Sequence, residues 1–184
     1  MSIQWSPELL VETVRQILDT ELSGYLSALA TARTLTLPVP KSIDCGPPDL
    51  LGTDWEPIAI QIEASSAVAD PGSTTSSGGT DRYETVSVLE IRFLASDGDF
   101  AADTSTAYYR SILTYGHAIQ RCVCGILDPL WASANADAYG TLAWVWRAIP
   151  ADAVAELADV DGGAWFMRYL VTIEVRHHTQ RDRP

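Results

Sequence analysis

Three histidines, three cysteines and a scatter of carboxylates are the side chains here whose types suit catalysis or metal binding. Their spacing decides what they can do. His117 falls inside a helical pattern, with Leu113, Thr114, Gln120 and Arg121 at helical spacing. None of these is a usual metal ligand or catalytic base, so a surface histidine is expected. His177 and His178 are adjacent; on a strand they face opposite sides, which works against a joint metal site. Cys122 and Cys124 diverge by roughly 200° on a helix and cannot form a zinc pair. Cys122 falls on an apolar stripe and reads as a core thiol. Cys45, beside Gly46 in a proline-rich stretch, could act as a nucleophile only with a base, and no base accompanies it in sequence. Asp97, Asp99 and Asp103 in DGDFAADTS resemble part of a calcium loop, but the glycine and the final acid of such a loop are missing; a turn and a helix cap fit better. Asp152, Glu156, Asp159 and Asp161 are acids without a partner. Neither GxGxxG after a strand nor GxxxxGK[ST] occurs, and Gly78-Gly79 lacks the lysine of a phosphate cradle. The expectation is a chain with no catalytic residues, no cofactor and no metal.

Such a chain is read through its elements and totals. Its 184 residues suffice for one domain with a real core and fall short of two. The 47% hydrophobic and 20% charged content is that of an ordinary soluble globular protein. No apolar run approaches the roughly 20 residues of a membrane helix, so no membrane partner is expected. MSIQWSPELLVE lacks the basic start and apolar stretch of a secretory signal. An odd number of cysteines argues for a reducing cytosol. The net charge of -12, with 12 basic against 24 acidic residues, argues against gripping nucleic acid. It suits a surface past which DNA slides, and it also serves solubility.

Ser6-Pro7-Glu8 marks a helix start. Leu10, Val14, Ile17, Leu18, Leu22, Tyr25, Leu26 and Leu29 form its buried stripe. LPVPKSIDCGPPDLLGTDWEP is a connector, apart from a short extended piece around Leu35 to Val39. Ile58, Ile60 and Ile62 alternate with Ala59, Gln61 and Glu63, a strand with one buried face. After a Gly/Ser-rich loop comes a long strand, Tyr83 to Leu94. There Val86 and Val88 stand on one parity and Leu89, Ile91 and Phe93 on the other, which predicts a β-bulge or a change of packing partner. Asp103 or Thr104 caps a second helix through about Leu127, striped by Tyr108, Ile112, Tyr115, Ile119, Cys122 and Ile126. Thr141 to Ile149 and Trp165 to His177 are two more strands, the latter about 40 Å long. Between them PADAVAELADVDGG reads as a short helical turn and a Gly-Gly break. The order helix, strand, strand, helix, strand, strand predicts an α+β two-layer sandwich. Its antiparallel or mixed sheet of four to five strands carries both long helices on one face.

This layout resembles the tail terminator and tail-completion proteins of long-tailed bacteriophages. The likeness is carried by the helix SPELLVETVRQILDTEL, the strand WEPIAIQIE, the loop, and the strand DRYETVSVLEIRFLAS. The helix TSTAYYRSILTYGHAIQRCVCGIL and the strand GGAWFMRYLVTIEVRHH complete it. In that family a sheet with helices on one face assembles into a hexameric ring that caps the tail tube and docks onto the neck. The resemblance implies a structural, non-enzymatic virion component of the tail or neck, assembled in the host cytoplasm. Its implied partners are tail tube and neck or connector proteins, with a sheath protein in a contractile tail, while DNA passes through without specific binding. Two alternatives stand beside it. One is another neck or head-completion connector; the other is a ferredoxin-like ligand-binding domain or enzyme with a pocket lined by Trp144, Trp146, Trp165 and Tyr169.

Residues 1–184 are expected to form a single domain, with a mobile loop at 70–81 and a flexible tail at 177–184. An overlong strand invites pairing with a sister copy, and a floppy loop can order on contact with a partner. The expected subunit or partner contacts are Asp70, Gly72, Ser73, Gly78, Gly79, Asp81, Tyr83, Val86, Val88, Arg176 and Arg181.

Overall fold

The computed structural model describes residues 7–46, 58–77, 80–126, 143–161 and 164–182. In chain order these form α1 (Pro7–Arg33), β1 (Ser42–Cys45), β2 (Ala59–Ser77), β3 (Thr80–Ser96), a 3-10 turn (Gly98–Phe100), α2 (Ser105–Val123), β4 (Gly125–Ile126), β5 (Ala143–Asp161) and β6 (Ala164–Asp182). Pro7 opens α1, where its missing N–H costs no helical bond. Thr34 closes it in the left-handed region (φ 53), and the Leu35 amide donates to the Ala30 carbonyl at 3.0 Å. That closure usually falls to glycine. Thr104 caps α2, its hydroxyl oxygen accepting from the Ala107 amide at 3.1 Å.

The sheet is mixed and six-stranded, in the order β1-β2-β3-β6-β5-β4. Only β1 runs parallel to its neighbour; every other pairing is antiparallel. The two helices run antiparallel to each other, since the Cys122 thiol meets the Ile17 carbonyl while Arg33 reaches Thr114. The four expected strands are present, β2 and β5 far longer than expected, and the α+β two-layer reading holds. The short strands β1 and β4 complete the sheet. Four or two residues long, they are too brief to show a period.

Between sheet and helices lies one core. Leu10, Val14, Ile17, Leu18, Leu22 and Leu26 of α1 pack over Ile60 and Ile62 of β2 and Leu89, Ile91 and Phe93 of β3. From α2 come Tyr108, Ile112, Tyr115, Ile119 and Cys122, and from β6 Tyr169 and Val171. Phe93 stacks on Tyr169 with ring centroids 5.4 Å apart and meets Tyr115 at 4.7 Å. The approach of α2 to β6 requires Gly116, because a Cβ there would stand 2.1 Å from the Tyr169 ring.

Several expectations are corrected. Residues 70–77 and 80–81 are strand, so the expected loop is the outer part of a β2–β3 hairpin closed at Ser77 and Thr80. Ser and Thr pair through their backbones as other residues do, and a Gly-Gly pair is a two-residue hairpin signal. Likewise 177–182, expected as tail, pairs with Thr85 to Thr80 of β3. PADAVAELADV is not helical: β5 runs through it to Asp161, ladder pairing with β6 overriding the helix preference of Ala, Glu and Leu. α2 stops at Val123, not near Leu127, because Gly125 and Ile126 pair with Ala148 and Arg147. β3 carries no bulge; Ser87, Leu89, Ile91, Phe93 and Ala95 form one unbroken buried parity. The irregularity sits on β2 at Ser65, whose hydroxyl donates to the Val88 carbonyl at 3.2 Å. Finally, Ala59 and Gln61 are buried as deeply as Ile58, so β2 is covered on both faces there.

Candidate functional site

The sheet outruns its helices. A 27-residue and a 19-residue helix span about 40 Å and about 28 Å. Strands β2, β5 and β6, 19 residues each, span about 60 Å. At one end Tyr108 of α2 donates to the Ala95 carbonyl at 2.5 Å. Toward the other, Glu12 of α1 lies beside Cys45, whose register partner on β2 is Ile62, itself opposite Ile91. β3 stays buried as far as Ser87, and from there to Thr80 the strand continues about 23 Å further. That stretch is an arm of β2, β3, β6 and the start of β5, lying side by side.

Most of the expected contact residues fall on this arm. Asp70 stands opposite Glu84, and Asp81 opposite Ser76 on one side and Arg181 on the other. Tyr83 pairs with Thr179; Val86 pairs with Val68 and Arg176; Val88 pairs with Ser66 and Glu174. Gly72 and Ser73 lie in the four residues of β2 between Asp70 and Thr75 that face Tyr83 alone. Gly78 and Gly79 lie outside the described residues. The fold thus brings the Gly/Ser segment and the C-terminal segment into one sheet, a neighbourhood no local sequence pattern announces.

The residues with possible chemistry are placed differently. The Cys45 thiol ends β1 and is pushed up to about 11 by partial burial and by Glu12, away from the thiolate a nucleophile needs. Cys124 is pushed up to about 12 by burial. Glu12 is held below the usual carboxylate range by its hydrogen bond to Arg15. Asp97 caps the 3-10 turn, and the Asp99 carboxylate accepts from the Ser96 amide and hydroxyl at 2.8 and 2.7 Å. Beside them a cavity of about 110 Å³ is lined by Asp97, Asp103, Thr104 and Tyr108, well below the few hundred Å³ of a typical ligand site. Tyr169, one of the four aromatics considered for a pocket, is buried in the core; the side chains of Trp144, Trp146 and Trp165 lie outside the described residues. Among the described residues no metal-ligating group of three forms, and no helix is long and apolar enough to cross a membrane.

One cluster escaped the sequence reading. Arg110, Thr114, His117 and Arg121 follow one another at steps of four, three and four along α2. Arg33, the last residue of α1, joins them: its guanidinium donates to the Thr114 hydroxyl at 2.8 Å, and Arg110 donates to the Arg33 carbonyl at 3.4 Å. His117 is half-buried rather than a surface residue, and it is held below its ordinary value by desolvation and by the charges of Arg33 and Arg121. The spacing on α2 was visible in sequence; the arrival of Arg33 was not.

No protein-family model matches the chain, and no curated protein matches it in sequence. A chain of a solved structure described as "Virion of native gene transfer agent (GTA) particle" aligns with it at a TM-score of 0.41 and 13% identity, covering 90% of this chain and 91% of that chain.

Proposed function

We propose that this chain is a structural subunit of a tailed, phage-like virion, working as one of six identical copies in a ring that ends the tail tube and joins it to the neck. The observation that carries the reading is the arm: four strands continue about 23 Å past Ser87, the outermost described buried residue of β3. A lone domain gains little from such an extension, which lengthens the exposed sheet edge. Copies arranged in a ring turn the same surface into subunit and partner contacts, and a closed ring leaves no free sheet edge. The sixfold number and the place at the end of the tube come from the resemblance in helix and strand order.

Mass measurement by light scattering, alone and in the presence of assembled tail tubes, tests the reading. A ring mass in either setting, with rings at one tube end under electron microscopy, is expected. A single-chain mass alone together with no copies on the assembled particle overturns it.

A further inference from the structure

The α1–α2 seam concentrates positive charge in a protein that has little of it. Arg33, Arg110 and Arg121 are exposed, and His117 sits among them half-buried. The described ion pairs engage other arginines, Arg15 with Glu12 and Arg92 with Glu63 and Glu90. At the seam the described partners are neutral: the Thr114 hydroxyl and the Arg33 carbonyl. Arg33 and Arg121 each stand in the last turn of their helix. The helix dipole offers each about half a negative charge and offers Arg110, in the first half of α2, nothing. Among the described residues no carboxylate pairs with these three guanidiniums, and an acidic surface would supply one.

A second, independent feature marks the same face. Tyr109 and Leu113, 47% and 40% exposed, are two of only four exposed large hydrophobic residues described. They lie one step from Arg110 and Thr114 on α2, so the basic stripe has an apolar flank. Tyrosine and arginine side by side on a surface is the composition of protein interface centres.

We propose that this seam, Arg33, Arg110, His117 and Arg121 flanked by Tyr109 and Leu113, is a docking surface for an acidic face of a second copy of this chain. Charge complementarity selects the occupant. Each copy carries 24 acids against 12 bases, so two copies repel over most of their surfaces and attract where this seam meets the acidic remainder. Nucleic acid fits less well: its phosphates are held by many Lys/Arg contacts against a chain whose net charge is -12, and the seam offers three arginines beside an apolar strip. The inference rests on the assembly reading above only in requiring that copies meet.

The test is the double variant Arg110→Glu/Arg121→Glu, with the neutral Arg110→Gln/Arg121→Gln beside it, in sedimentation from about 0.02 M to about 0.5 M salt. The wild type should associate at low salt and weaken at least about tenfold over that range. The Glu variant should run as a single chain and the Gln variant fall between them, all three with the same circular dichroism. Should the Glu variant misfold, the Gln variant decides alone. Two results overturn the inference: variants that associate like the wild type, which leaves the ring on another face, or a wild type that stays single at low salt and millimolar concentration. Labelled single-stranded DNA bound by the wild type at physiological salt and released by the Glu variant overturns the choice of occupant.

Discussion

Gly116 is where a single missing methyl group sets the distance between two layers. With a Cβ only 2.1 Å from the Tyr169 ring, and that ring wedged against Phe93, neither side can yield cheaply. Gly116→Ala is expected to lose about 1–3 kcal/mol by urea unfolding, although alanine favours the helix itself. Nearby, the Tyr115 hydroxyl is buried with no hydrogen-bond partner among the described residues, and burial pushes its pKa above the ordinary tyrosine value. His117 gives the pH prediction. Its folded value lies below its unfolded one, the latter about 6.5. The unfolded chain therefore binds the proton more readily, and stability present above about pH 6.5 declines as pH falls toward the folded value. His117→Gln should flatten that part of the profile, measured as the urea midpoint between about pH 7.5 and about pH 5.

At the scale of elements, the arm yields the clearest expectation. Deleting Gly72 to Gly79 removes the outer end of the β2–β3 hairpin and leaves every described core residue in place. Secondary structure and thermal midpoint should survive nearly unchanged while assembly into particles fails; unimpaired assembly counts against the arm as a contact. Much of this layer was legible in sequence, because α1, α2 and β3 each bury one regular face and burial writes a period into the residues. The stripe from Tyr108 to Cys122 and the run Leu89, Ile91, Phe93 are that record. What stayed hidden lacked such a record. The Gly/Ser segment is strand because β3 lies beside it, and PADAVAELADV is strand because β6 does; neither reason is local. Ser87 shows the finer case: a buried serine amid valines looked like a break in alternation when it was part of it. The same blindness applied to the basic seam, one of whose three arginines arrives from a helix nearly 80 residues earlier.

The molecule is strongly acidic and carries a basic seam on its helical layer, and salt should act on it in two opposite senses. Screening relieves the mutual repulsion of a net charge of -12, so the thermal midpoint of the single chain should rise with moderate salt. The seam contact should weaken over the same range. Calorimetry at a concentration where only single chains exist, run beside sedimentation at high concentration, separates the two effects. A midpoint that falls with added salt removes the self-repulsion account.

The ladder between β3 and β6 runs without a skipped rung from Thr80–Asp182 to Ser96–Phe166. Tension along those strands must break its rungs together in shear, rather than unzip them one after another. A pull at the hairpin tip would thus reach the packed aromatic rings at the far end almost undiminished, making this sheet a stiff rod for passing force.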